Sequence, residues 1–308
     1  MRSGAVGRLE VCLSDHSTTG VGQLNISNVR LVGGQGLYAV GDQRVVFMSD
    51  CEVEAGFIAV RADSGAGVLV SNSDLTGTNF AVRSVGGIVV VERSKLHDSG
   101  FGARVFDAEL YLIESEVSGS QIIGVQALDR STVSIQFSQF SENGSSHLSA
   151  QSDSRVELFN SEIGSAVDTT QVGLQANHGS KVGLYASDPS YGFWRSASVR
   201  NDSFATIEGV TFYGSVSLRS FSKLVVNGTV TEGSVQCQSA SDAICDYAAS
   251  AATLGCMSAP DACEPLRQFS PEESQHEPRE VPFQMLQTQQ RRGAQGQAAP
   301  PLRLDRKK

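Results

Sequence analysis

The sequence predicts an all-β solenoid of stacked coils, and three periodic observations predict it. An apolar landmark recurs at Leu31, Val53, Leu75, Leu96, Val117, Phe140 and Ile163, with gaps of 22, 22, 21, 21, 23 and 23 residues. Five and seven residues before each landmark stands an apolar pair: Leu24/Ile26, Val46/Met48, Val68/Val70, Val89/Val91, Leu110/Leu112, Val133/Ile135 and Val156/Leu158. A small residue usually stands two places before it, at Cys51, Ser73, Ser94, Ser115, Ser138 and Ser161. A fixed period of this length implies a repeat array in which each coil buries its apolar face against the next.

Each coil divides into three short strands. The first strand is read from the pairs Leu37/Ala39, Phe57/Ala59, Phe80/Val82, Phe101/Ala103, Val125/Ala127, Leu148/Ala150 and Leu174/Ala176. The second strand is the valine-rich pair, and the third is the small residue followed by the landmark. Within every pair the apolar residues alternate, which is the period of a strand with one face inward. With phrases such as Gly56-Phe57-Ile58-Ala59 and Ser73-Asp74-Leu75, this register resembles the right-handed parallel β-helix of pectate lyases and many bacterial surface proteins. The resemblance covers about residues 9 to 236 and implies nine or ten coils of 21–26 residues. The frame of a leucine-rich repeat and the hexapeptide period of a left-handed β-helix are both absent from the sequence.

After Ile163 the coils loosen. Val182/Leu184 and Ala205/Ile207 keep the second-strand pattern, and Asp188 to Trp194, with the only Trp, reads as a corner loop. Asp15 to Gly22 reads as another loop. Coil-like sequence begins almost at once, at Leu9-Glu10-Val11. A raw strand edge there is expected to be covered, so a preceding region is expected over the coil end.

The sequence divides into a β-helix at 1–236, a Cys-rich, partly helical cap at 237–264 and a disordered tail at 265–308. Cys237, Cys245, Cys256 and Cys263 are spaced by 8, 11 and 7 residues, unlike a Cys-x-x-Cys zinc site. They read as disulfides pinning a cap, with all three connectivities open. Ser241 to Leu254 reads as a helix capped by Ser241 and ended by Gly255. The tail is rich in Gln, Pro, Arg and Glu, a composition that cannot bury a core. No secretory leader is visible. The disulfide reading nevertheless places the protein outside the cell or on its surface.

The net charge of -9 argues against nucleic acid, which needs a basic face. No apolar run of about 18 residues exists to form a membrane span.

The outward positions are where a coil can present chemistry. The first strand shows Tyr38, Ile58, Ala81, Gly102, Gln126, Ser149 and Gln175, a face without acids. The second shows Phe47, Leu69, Val90 and Tyr111 as an apolar stripe, then Ser134, Glu157 and Gly183. Four outward apolar side chains on adjacent rungs mark a contact surface, for a partner or for another part of the chain. The third shows Arg30, Glu52, Asp74, Lys95, Glu116, Gln139 and Glu162. Glu52 and Asp74 have the chemistry of a Ca²⁺ or acid/base pair, but alternating opposite charges fit a solvated ladder better.

Arg83 and Arg104, near Arg61, are expected at the corner after the first strand. They are placed either to bind an anionic sugar or to pair with acids such as Asp63 and Asp107. Cys51 reads as a buried thiol. His97-Asp98-Ser99-Gly100 and Asn177-His178-Gly179-Ser180 read as corner turns. The polygalacturonase-like signatures Asn-Thr-Asp, Asp-Asp and Gly-His-Gly are absent, as is any phosphate loop.

The expected function is therefore a non-catalytic secreted or surface β-helix, a structural, adhesion or ligand-binding module whose partner is a protein or a polysaccharide. Its binding candidates are Phe47, Leu69, Val90, Tyr111, Arg83, Arg104 and Trp194. The alternative is a polysaccharide-binding or polysaccharide-degrading protein, lyase or hydrolase. Fold analogy alone supports that alternative, and Ca²⁺ is implied only under it. No cofactor or metal site is otherwise expected, and the sequence identifies no catalytic residue.

Overall fold

The computed structural model describes residues 8–11, 22–41, 44–164, 172–186, 192–193, 196–213, 215–230, 235–238 and 242–245. Every strand pairing among them is parallel, and they build a β-solenoid of about eight regular turns. Eleven first strands stack into one sheet, from Arg8–Val11 to Val235–Gln238. The other nineteen strands form a second sheet, in which second strands pair with second strands and third with third. Eight turns keep three separate strands. Beyond Gly192–Phe193 the second and third strands run together, as in Phe204–Phe212 and Lys223–Val230. The sequence-based count of nine or ten coils included these merged rungs.

The landmark column lies where the sequence puts it. Leu31 pairs with Val53, Val53 with Leu75, Leu75 with Leu96, Leu96 with Val117, Val117 with Phe140, and Phe140 with Ile163. All are buried, as are the second-strand pairs from Val46/Met48 onward. Each such side chain contributes roughly 1.5–3 kcal/mol of burial before conformational entropy is subtracted.

The corner between second and third strands explains the small-residue column. One residue there takes a left-handed conformation in seven successive turns: Asn28, Asp50, Asn72, Arg93, Glu114, Phe137 and Asn160, with φ between 46° and 56°. The next residue, serine in most turns, turns inward and makes two bonds. The Ser115 hydroxyl accepts from the Ser94 N–H at 3.2 Å and donates to the Ile113 carbonyl at 2.8 Å. Ser73, Ser94, Ser138 and Ser161 repeat both contacts. Cys51 ends the column as a buried thiol, its Sγ 3.1 Å from the Ser49 carbonyl. The column is thus a hydrogen-bonded ladder that satisfies backbone groups the corner would leave orphaned.

Four expectations are corrected. Phe57, Phe80 and Phe101 do not point into the core. The inward first-strand residues of those turns are Val60/Ala62, Val82/Ser84 and Ala103/Val105, all without solvent exposure. The Ser84 hydroxyl donates to the Ala62 carbonyl at 3.1 Å, which accommodates it inside. Second, Ala81, read as outward, lies in the core. Third, Gly192–Phe193 is not part of a corner loop. It is a third strand, and buried Phe193 continues the landmark column by pairing with Ile163.

Fourth, the helix expected from Ser241 is not what Asp242–Cys245 forms. That segment is a strand paired with Lys223–Val230, because Ala243 and Ile244 fall into register with Leu224 and Val225. Cys237 and Cys245 therefore sit on solenoid strands, in register with Leu218 and Val226. The ladders accordingly run past residue 236. Cys256, Cys263, Trp194, the tail, the part of the expected cap beyond Cys245 and the expected loop from Asp15 to Gly22, apart from Gly22 itself, lie outside the described residues. Among the described residues no helix is long and apolar enough to cross a membrane.

Candidate functional site

The outer face of the first sheet carries three columns set by the strand register. Ile58, Phe80, Phe101 and Ile123 stack in one. Tyr38, Arg61, Arg83, Arg104, Gln126 and Ser149 stack in the next. Asp63, Val85, Phe106 and Leu128 form the third. Three arginines thus occupy successive rungs, about 4.8 Å apart, between two apolar columns. They lie mid-strand rather than at the corner where the sequence placed Arg83 and Arg104.

Aromatic rings hold these guanidinium groups. Phe80 and Phe101 stack with centroids 5.4 Å apart, and Phe57 packs edge-on against Phe80. The Arg104 guanidinium lies 5.0 Å from the Phe101 centroid and 4.9 Å from that of Phe106. Arg83 lies 6.0 Å from Phe80 and 5.7 Å from Phe106. These are cation–π distances, and they fix side chains that would otherwise sweep through solvent.

The three arginines differ in compensation. Arg61 donates to Asp63 from Nε at 2.7 Å and from Nη2 at 2.5 Å, and Tyr38 lies beneath it at 4.5 Å. The Asp63 hydrogen bond holds the Arg61 pKa above its ordinary value against the cost of burial. So the face is not acid-free: Asp63 is on it, 7% exposed, neutralising one of the three. Arg83 and Arg104 have no carboxylate within ion-pair distance among the described residues. Burial, and then the charge of Arg83, push the Arg104 pKa down. The Arg104 Nε and the Gln126 Oε1 on the next rung are both shut from solvent without a hydrogen-bond partner.

The other two faces differ. Phe47, Leu69, Val90 and Tyr111 align on successive rungs of the second sheet, as the spacing predicts. They face away from the solenoid core and form a second apolar cluster with Val45, Ile88 and Ile113. The stripe is not exposed, however. Val90 has no accessible surface and Tyr111, Phe47 and Leu69 keep only 4–8%. The Tyr111 hydroxyl donates to Glu109 at 2.7 Å. Further along this face, burial and then the charge of Glu157 push the Tyr185 pKa up to about 12.

The third-strand ladder pairs most of its charges. Arg30 meets Glu52 at 3.1 Å and Glu54 at 3.6 Å, and Lys95 meets Glu116 at 3.4 Å. Asp74 engages His97, with 2.5 Å to Nε2, while Asp98 lies 2.8 Å from Nδ1. Partial burial disfavours the charged ring, but hydrogen bonds to Asp98 and Asp74 outweigh it, so the His97 pKa is raised. Asp107 pairs with Arg130 at 3.7 Å, not with Arg83 or Arg104.

Comparisons with family models, curated proteins and solved structures each returned no match to this chain.

His178 and Gly179 take left-handed conformations at a corner, as their Asn-His-Gly-Ser phrase predicts. Among the described residues no group of three His, Cys, Asp or Glu side chains is placed to hold a metal. The sequence reading missed Arg61, Phe80, Phe101 and Phe106 as site residues. One signal was available: Arg61, Arg83 and Arg104 recur with gaps of 22 and 21, the landmark's own period.

Proposed function

We propose that this protein is a non-catalytic β-helix of the extracellular or cell-surface kind that binds an elongated polysaccharide along the outer face of its first sheet. One observation carries the reading: arginines on successive rungs, flanked by Phe80, Phe101 and Phe106, with two of the three lacking an acid partner. Rigid aromatic walls and fixed donors suit recognition of a chain that follows the stack. The carboxylates of the third-strand ladder support a non-catalytic reading, because Glu52 and Glu116 are each engaged by a cation and Asp74 by His97.

The test is a glycan array followed by product analysis of every hit, with and without Ca²⁺. The expected result is retention without cleavage, weakened by Phe101→Ala. Cleavage of any retained glycan would sink the non-catalytic reading and favour the lyase or hydrolase alternative.

A further inference from the structure

The two uncompensated arginines allow the ligand's chemistry to be narrowed, on the premise that the first-sheet face binds a glycan at all. Arg83 and Arg104 occupy paired positions on adjacent strands. Two like charges one rung apart, about 4.8 Å, repel each other, and burial lowers the dielectric that would screen them. Nothing among the described residues cancels them. Phe80, Phe101 and Phe106 occupy the faces of the guanidinium groups. With the Arg104 Nε shut from solvent, the terminal Nη groups are what remains for a ligand.

A carboxylate presents two coplanar oxygens, which match the fork of one arginine. A sulfate or phosphate ester presents three outer oxygens in a tetrahedron and can accept from two forks at once. We infer that Arg83 and Arg104 form a paired site for a tetrahedral oxyanion ester, sulfate or phosphate, carried by a linear glycan whose sugar rings lie against Phe80, Phe101 and Phe106. Arg61, already bound to Asp63, lies outside the pair.

The experiment measures binding of the full chain to four octasaccharides by calorimetry: maltooctaose, its 6-sulfated form, its 6-phosphorylated form and oligogalacturonate. The inference expects the sulfated or the phosphorylated form to bind at least tenfold more tightly than the other two, and which of them binds tells the two esters apart. Arg83→Gln/Arg104→Gln should abolish that preference, while Arg30→Gln should leave it unchanged. Thermal melts check that the variants fold. Oligogalacturonate binding as tightly as the esters, or the double variant keeping the preference, overturns the oxyanion inference while leaving a glycan-binding face intact. No binding of any glycan, here and on the array, overturns both.

Discussion

Two charged columns climb the same solenoid, and they treat charge in opposite ways. On the third strands, Arg30, Glu52, Asp74, Lys95 and Glu116 sit in register, and each finds a partner, an opposite charge or, for Asp74, His97. On the first sheet, Arg61, Arg83 and Arg104 sit in register with one acid among them. The geometry of the rungs is common to both, so the difference lies in the side chains. A ladder that cancels its own charge keeps a face soluble and asks for nothing more. A ladder that leaves adjacent cations uncancelled, wedged between rings, costs stability unless something else meets it.

The largest expected effect concerns the core that both columns share. Leu112 is fully buried. Leu112→Asp should destabilise the protein by at least about 3 kcal/mol, because an unpaired charge is buried, and urea melts should show it. A soluble, protease-resistant variant would mean the register beneath both faces is misassigned. Ser115→Ala removes one acceptor and one donor from the corner ladder and should cost about 1–3 kcal/mol by leaving the Ser94 N–H unsatisfied.

The next pair of variants divides the columns. Arg104→Met keeps the packing against Phe101 and Phe106 while removing a repelled charge and an orphaned Nε. It should raise stability by about 1 kcal/mol in ligand-free protein. Lys95→Met removes a half-satisfied exposed charge and should lower stability by only about 0.5 kcal/mol. Equal and opposite signs reversed from these would erase the contrast.

The smallest effect is a matter of pH. The folded-state pKa of His97 is raised, so its ion pairs stabilise fully below the unfolded value, about 6.5. That stabilisation is lost as the pH rises through the folded value. His97→Gln should therefore lower the melting temperature more at pH 5.5 than at pH 8.5. An equal loss at both would mean that His97 is not charged in its site.

Much of the fold was legible because its signals were local and repeated. The landmark, the valine pairs and the serine column each recur at one period, and the corner chemistry of Ser73 or Ser115 follows from its place in it. The first sheet was harder to read. Phe80 and Phe101 alternate with Val82 and Ala103 as core residues would, yet a solenoid has two faces and an aromatic ring can be stabilised on either. Ser84 takes a core place instead, since one hydroxyl bonded to a carbonyl is cheap to bury. Shifting the strand by that much moved three arginines from an assumed corner to the middle of the face, where their neighbours could not be foreseen. Phe193 was missed because an insertion stretched its repeat to 30 residues from Ile163.

The claim that Arg83 and Arg104 are an uncompensated charge pair is tested most directly by thermal melts in sodium sulfate and in sodium chloride at matched ionic strength. The wild-type chain is predicted to melt at a higher temperature in sulfate, by a margin that largely disappears in Arg83→Gln/Arg104→Gln and persists in Arg30→Gln. The same sulfate margin in the double variant as in the wild type would contradict the account.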